Sequence, residues 1–238
     1  MSRIRVLPGP DAVLRQCLTT HPNVDLLEGE SSDLLEFWQD DWHRRITANP
    51  AAEAPFGLIE LMDNNPLVCA DVVRVPGVAA TLLLAALGPI IRAGILAEPP
   101  AVIASFPVSE DEVPEALVTV GWNNGAMVTS GDVDLGTVRG LNVIAAIHAP
   151  EDLSELDAIY EEAYGRSFFV ARDEASEWMP NVADGRSEAL YRLRITPGSD
   201  VSLLTIQTFA DIRGKLGAGQ VIHTMNVLAG FEETLGVA

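Results

Sequence analysis

Few residues of this chain combine a reactive type with a promising setting, and they form no complete catalytic set. Pro76-Gly77-Val78-Ala79-Ala80-Thr81 opens an apolar run, Leu82 to Leu96, broken at Gly88-Pro89 and closed by Gly94. A Pro-Gly turn before an apolar helix places residue 78 in the first helical turn. Free N–H groups and the helix dipole there favour an anion and would stabilise a cysteine thiolate. Val78 supplies neither. Glu60 reads as a general base if partly buried, or else as a capping carboxylate. Arg139 reads as an anion clamp or as a bridge between two parts of the fold. Lys215, just before the tail helix, is either a ligand donor or a solvated lysine. Gly121-Trp122-Asn123-Asn124-Gly125 suits a loop that stacks on a ligand, and equally an ordinary turn between strands 117–120 and 126–129.

Other reactive side chains lack partners in sequence. His21 precedes Pro22, His148 ends an apolar strand and His223 lies on the tail helix. No metal-ligand spacing, Ser-His-Asp set or nucleophile elbow occurs. Trp42-His43-Arg44-Arg45 is the basic cluster, and it reads as a ligand rim or as the cationic C-terminus of a helix that also carries Trp38. Asp40-Asp41 and Glu161-Glu162 are adjacent helical positions that diverge, so they read as solvated faces.

The elements that must position these residues follow from periodicity. Residues 4–7 read as a strand ended by Pro8-Gly9-Pro10, and Asp11 N-caps a helix through Leu14 and Leu18. Residues 23–27 form a second strand, Ser32-Asp33 caps a helix over 34–42, and 67–69 with 72–75 form a strand region. The later part is strand-rich, with strands over 101–106, 117–120, 141–147, 190–195 and 201–206. The last two frame a Pro-Gly-Ser-Asp hairpin turn. Residues 152–164 and 217–228 are amphipathic helices.

Composition narrows the classes. The 238 residues carry a net charge of −19 with 48% hydrophobic content. Nucleic acid and anionic membrane both need clustered Lys and Arg, so neither is an expected partner. Cys17 and Cys69 lack disulfide or metal spacing and read as buried structural thiols of a reducing compartment. With no signal-peptide core and no apolar run long enough to span a bilayer, the expected location is cytoplasmic.

Four stretches in order resemble the N-acetyl-gamma-glutamyl-phosphate reductase family. Phe56-Gly57-Leu58-Ile59-Glu60 resembles its Tyr-Gly-Leu-Pro-Glu. Pro76-Gly77-Val78 to Thr81 resembles its Asn-Pro-Gly-Cys-x-Pro-Thr, and Val138-Arg139-Gly140 resembles the Arg-Gly after its catalytic loop. The tail, Asp211 to Gly230, aligns without a gap to the family's closing segment and matches it at Asp211, Lys215, Gly219, Gln220, Met225, Asn226 and Gly230.

The resemblance implies a fold: a remnant Rossmann-like α/β layer over 1–76, joined to a semialdehyde-dehydrogenase-type α+β domain with a mixed or antiparallel sheet over 77–215. A C-terminal helix within 216–238 then packs back on the first layer. It also implies losses. Val78 stands where the family has its nucleophilic Cys, and no histidine lies between Ser105 and Arg139, where the family has its base. Ser105 to Glu112 replaces the glycine-rich phosphate loop and sets the carboxylates of 110–112 where a phosphoryl group would sit. Pro8-Gly9-Pro10 replaces the dinucleotide turn, which implies a chain that starts partway through the nucleotide domain.

No cofactor and no metal are therefore expected. Two functions are. One is a cofactor-independent cyclase, isomerase or lyase acting on a small organic acid. It would use Glu60, or an acid of the 110–112 loop, as base and Gly77, Val78, Ser105, Trp122, Asn123, Asn124, Arg139 and Lys215 as substrate contacts. The other is an inactive paralogue that binds a partner, such as a true reductase. A homo-oligomer, dimer or tetramer, is expected for either.

Overall fold

A computed structural model describes residues 3–62, 64–148, 153–174 and 178–237. The chain order is β1 (Ile4–Pro8), α1 (Ala12–Thr20), β2 (Val24–Leu26), β3 (Leu35–Gln39), β4 (Trp42–Thr47), α2 (Asn64–Val68), β5 (Val72–Arg74) and α3 (Val78–Arg92). It continues with β6 (Ala101–Ala104), α4 (Glu112–Thr119), β7 (Met127–Ser130), β8 (Val138–Ile147), α5 (Leu153–Tyr164), β9 (Val170–Arg172), β10 (Ala189–Thr196), β11 (Ser202–Asp211) and α6 (Ala218–Ala229). Single 3-10 turns occur at Ile59–Leu61 and Pro180–Ala183. Among the described residues, no helix is long and apolar enough to cross a membrane.

The strands make two mixed sheets. The first is five-stranded, in the order β2-β1-β3-β4-β5, and the second six-stranded, β7-β6-β8-β11-β10-β9. Helix α3 is the buried rod of the second sheet's core. Every residue from Ala79 to Ile91 is buried, and the helix lies against α4, α5, β8 and β11. Gly88 is small for a reason: a methyl group there would approach Leu61 Cδ1 to 2.2 Å. Helix α6 closes the other core. Its Ala218, Ile222 and Met225 pack with Leu14 and Leu18 of α1 and with Val6, Phe37 and Ile46 of the first sheet.

Several elements differ from the sequence expectation. Residues 34–42 form no helix. Leu35 and Phe37 are buried at alternate positions of β3, as are Arg44 and Ile46 of β4, and the two strands pair with Phe37 opposite Arg44. Asp40 and Asp41 are the turn of this hairpin, and Asp40 alone among the described non-glycine residues has a positive φ, 54°. Positive φ at only the first central residue is the type II′ pattern, which favours glycine. Asp40→Gly is therefore expected to raise stability by about 0.5–1 kcal/mol in urea melts; a loss would contradict the strain.

The basic cluster is thereby a strand. Arg44 is 1% exposed, stacks on the Trp42 ring at 3.3 Å, and donates to Leu228 O at 2.5 Å and to Val68 O. One buried cation thus serves the C-terminal carbonyls of both α6 and α2, where the dipoles are negative.

Residues 117–120 lie in and just after α4. Val113, Ala116 and Leu117 recur at helical spacing and are buried against α3, which overrides the β-branched run that follows. Trp122 to Gly125 therefore joins a helix to β7 and is no hairpin turn. Residues 67–69 belong to α2 and its exit, and α3 runs unbroken through Pro89. Cys17 is half-buried and Cys69 exposed, so neither is a core thiol. Asp152, expected to begin a helix, lies outside the described residues, and the described helix begins at Leu153.

Candidate functional site

The head of α3 keeps its place between the two sheets. Gly77 is its N-cap and Val78 its first residue. Thr81 Oγ1 and Gln220 Nε2 both donate to Pro76 O, at 3.2 and 2.9 Å, and Thr81 Oγ1 also reaches Gln220 Oε1 at 3.1 Å. The tail helix thus locks the Pro-Gly turn. One amide of this helix head is already taken by a side chain. Glu112 Oε1 accepts from Ala80 N at 3.0 Å, and a methyl group on Gly77 would approach that same oxygen to 2.5 Å. A carboxylate of the chain itself occupies the position favoured for an anion. Arg74, beside it, pairs with Glu115 of α4 at 2.8 Å and holds that helix in place.

Glu60 lies elsewhere, in a buried polar cluster. Its side chain is 5% exposed and Lys215 is 0% exposed, with Nζ 2.5 Å from Glu60 Oε1. Lys215 Nζ also lies 3.5 Å from His223 Nδ1, and His223 Nε2 is 3.0 Å from Glu233 Oε2. Burial pushes the Lys215 pKa down, with Glu60 opposing. Burial and then the Lys215 charge push His223 down to about 2. The ring is therefore neutral, and Nδ1 accepts from Lys215 while Nε2–H donates to Glu233. Burial, followed by the Glu60 charge, raises Glu233. The Phe169 ring packs on His223, tilted by 32° with centroids 4.1 Å apart. Glu60, His223 and Glu233 line a cleft of about 730 Å³ between the Ile59–Leu61 turn, the end of α5 and α6.

The expected substrate contacts do not converge on Glu60. Its cleft is lined by none of Gly77, Val78, Ser105, Trp122, Asn123, Asn124 and Arg139. Ser105 Oγ accepts from Gly140 N at 3.0 Å and ties β6 to β8. Arg139 Nη1 donates to Gly136 O and Val138 O, each at 2.8 Å, so it braces its own loop. Trp122 Nε1 donates to Gly125 O at 2.8 Å, folding the loop on itself and leaving Asn123 and Asn124 exposed. Lys215 is neither solvated nor free, being spent on Glu60. His223 and Glu233 were not legible as partners, because no spacing marks them.

The matched tail residues carry structure. Asp211 accepts from the Arg213 guanidinium and backbone N, from Gly185 N and from Thr137 Oγ1; although burial opposes it, these bonds, the Arg213 side chain's first, hold its carboxyl well below the usual range. Asn226 Nδ2 donates to Glu233 O and Leu235 O, and its Oδ1 lies 3.0 Å from His21 Nε2.

No protein-family model matches the chain. It is 26% identical over 234 residues to the N-acetyl-gamma-glutamyl-phosphate reductases of Bacillus cereus (strain 03BB102) and Bacillus anthracis (strain A0248), a match covering 84% of this chain and 67% of theirs. The chain is a homologue of these reductases. Its fold is that of aspartate semialdehyde dehydrogenase II from Vibrio cholerae. The form complexed with ASA superposes with a TM-score of 0.67 at 12% identity, covering 97% of this chain and 99% of that one. The other solved form gives a TM-score of 0.66.

A reductase of this family uses a nicotinamide dinucleotide, whose pyrophosphate sits on amides of the first strand-to-helix turn. The homologue's β1–α1 turn does not fit that group. Pro8 and Pro10 carry no N–H, Gly9 N donates to Leu34 O at 2.9 Å, and the Asp11 carboxylate already accepts from Leu14 N at 2.9 Å. The turn packs so closely that a methyl group on Gly9 would meet Asp33 O at 2.5 Å.

Proposed function

We propose that this reductase homologue does not reduce acyl phosphates and acts instead as a binding or regulatory partner, with a true reductase as the first candidate. One observation carries the reading: Glu112 Oε1 sits on the Ala80 amide at the head of α3, with Val78 at the adjoining first position. A nucleophilic site there needs a thiolate and a place for the oxygens of an acyl phosphate. An internal carboxylate repels both.

A cofactor-independent cyclase, isomerase or lyase receives less support. Glu60 is neutralised by Lys215 and stands apart from Arg139 and from the helix head. Lys215 holds its Oε1 at 2.5 Å, which leaves only the buried Oε2 to take a proton.

The test is direct. With N-acetyl-gamma-glutamyl phosphate and a reduced nicotinamide dinucleotide, no oxidation of the dinucleotide above the protein-free blank is expected. Turnover would overturn the reading. Co-elution with an N-acetyl-gamma-glutamyl-phosphate reductase of the same organism is the expected positive result, and separate elution of the two at micromolar concentration would remove that partner.

A further inference from the structure

We infer that the cleft lined by Glu60 and Glu233 binds a small molecule bearing a primary ammonium group. The site is separate from the head of α3 and stands whether or not the proposed partner role does. Three features support it. The Glu60 side chain is 95% buried, its Oε1 is taken by Lys215, and its Oε2 has no hydrogen-bond partner among the described residues. A buried carboxylate oxygen left bare is costly, so the site calls for a donor. The space for one is there, since the cleft that Glu60 lines holds about 730 Å³.

Charge selects the class of donor. The Lys215 cation is matched by Glu60. Of the other charged side chains lining the cleft, Glu161, Glu162 and Glu233 are acids and Arg166 is the one base. The field inside therefore favours a cation. A metal ion is the less suitable one, because among the described residues no group of three or more metal-ligating side chains converges. An alkylammonium brings both a charge and three N–H donors. These can meet Glu233, whose carboxylate is 45% exposed beside His223 Nε2, and Glu60, which lines the same cleft.

Titration with 1,5-diaminopentane, followed by calorimetry and by amide chemical shifts, tests the site. Saturable binding with a Kd below about 1 mM is expected, with the largest shifts at Ser167, His223 and Val227. The bis-trimethylammonium analogue keeps both charges and loses every N–H, so it is expected to bind at least about tenfold more weakly. Glu233→Gln, at a partly exposed position, is expected to weaken the diamine about tenfold with an unchanged melting temperature. Equal binding of the two cations would mean a merely acidic surface and would overturn the proposal. So would absence of saturation, or a Glu233→Gln protein that binds as the parent does.

Discussion

Glu60→Leu is expected to lower stability by about 3–5 kcal/mol at pH 7, a deficit that narrows as the pH is raised toward 10. Lys215 is 0% exposed, and Glu60 is the carboxylate that pairs with it, at 2.5 Å. Removing Glu60 leaves an ammonium in the interior whose remaining hydrogen-bond partner among the described residues is the neutral His223 Nδ1, 3.5 Å away, with the Phe169 ring at 5.5 Å and the Glu233 charge farther off. The sign of the pH effect follows from linkage. Burial already holds the folded Lys215 pKa below its ordinary value and Glu60 opposes that shift, so its loss lets the pKa fall further. Between the folded value and the unfolded one, near 10.4, the unfolded chain binds more protons, and stability rises with pH.

Lys215→Met alone is expected to cost as much. The double variant Glu60→Leu with Lys215→Met should cost less than the sum of the two, because no lone charge is then buried. Urea melts at pH 7 and pH 9.5 read both effects. A Glu60→Leu deficit below about 1 kcal/mol would mean that the pair is solvated like an ordinary surface ion pair.

The same pair marks the limit of reading this chain as a string. Glu60 and Lys215 each stand out in sequence, yet they are 155 positions apart and no local rule joins them. They meet because the Ile59–Leu61 turn leans on α6 from one side while the β11–α6 connection delivers Lys215 from another. Elements with strong local signals were legible: the Asp11-capped helix, the hairpin at 197–201 and the amphipathic tail helix all form where their turn residues and periodicity put them. The β3–β4 hairpin was not. Leu34, Trp38 and Trp42 recur at intervals of four and mimic a helical stripe, and only pairing with β1 and β5 reveals that the alternate set, Leu35 and Phe37, faces the core.

Polar residues misled in a consistent way. Ser105, Trp122 and Arg139 carry hydroxyl, indole and guanidinium groups of the kinds that suit a ligand. Each is instead spent on a nearby backbone group, which is the commonest fate of a side-chain donor or acceptor in a loop. Of the carboxylates at 110–112, Glu112 reaches the head of α3, whereas Glu110 and Asp111 are exposed.

Glu112 also decides what a cysteine at position 78 would do. Val78→Cys is expected to give a thiol with a pKa at or above its ordinary value near 8.5, and adding Glu112→Gln is expected to lower that pKa by about 1–2 units. At a free helix head the amides and the dipole would stabilise the thiolate. Here Glu112 Oε1 takes the Ala80 amide at 3.0 Å and adds a negative charge within the same turn. Glutamine keeps an oxygen for that amide and removes the charge, so the helix head survives while the repulsion goes. The pH dependence of alkylation by iodoacetamide measures both thiols. Equal pKa values in the single and double variants would show that Glu112 does not govern the site, and the argument for a helix head closed to anions would fail with it. Neither substitution alone is expected to yield a reactive nucleophile, because the cysteine needs the open helix head and the open head needs the cysteine.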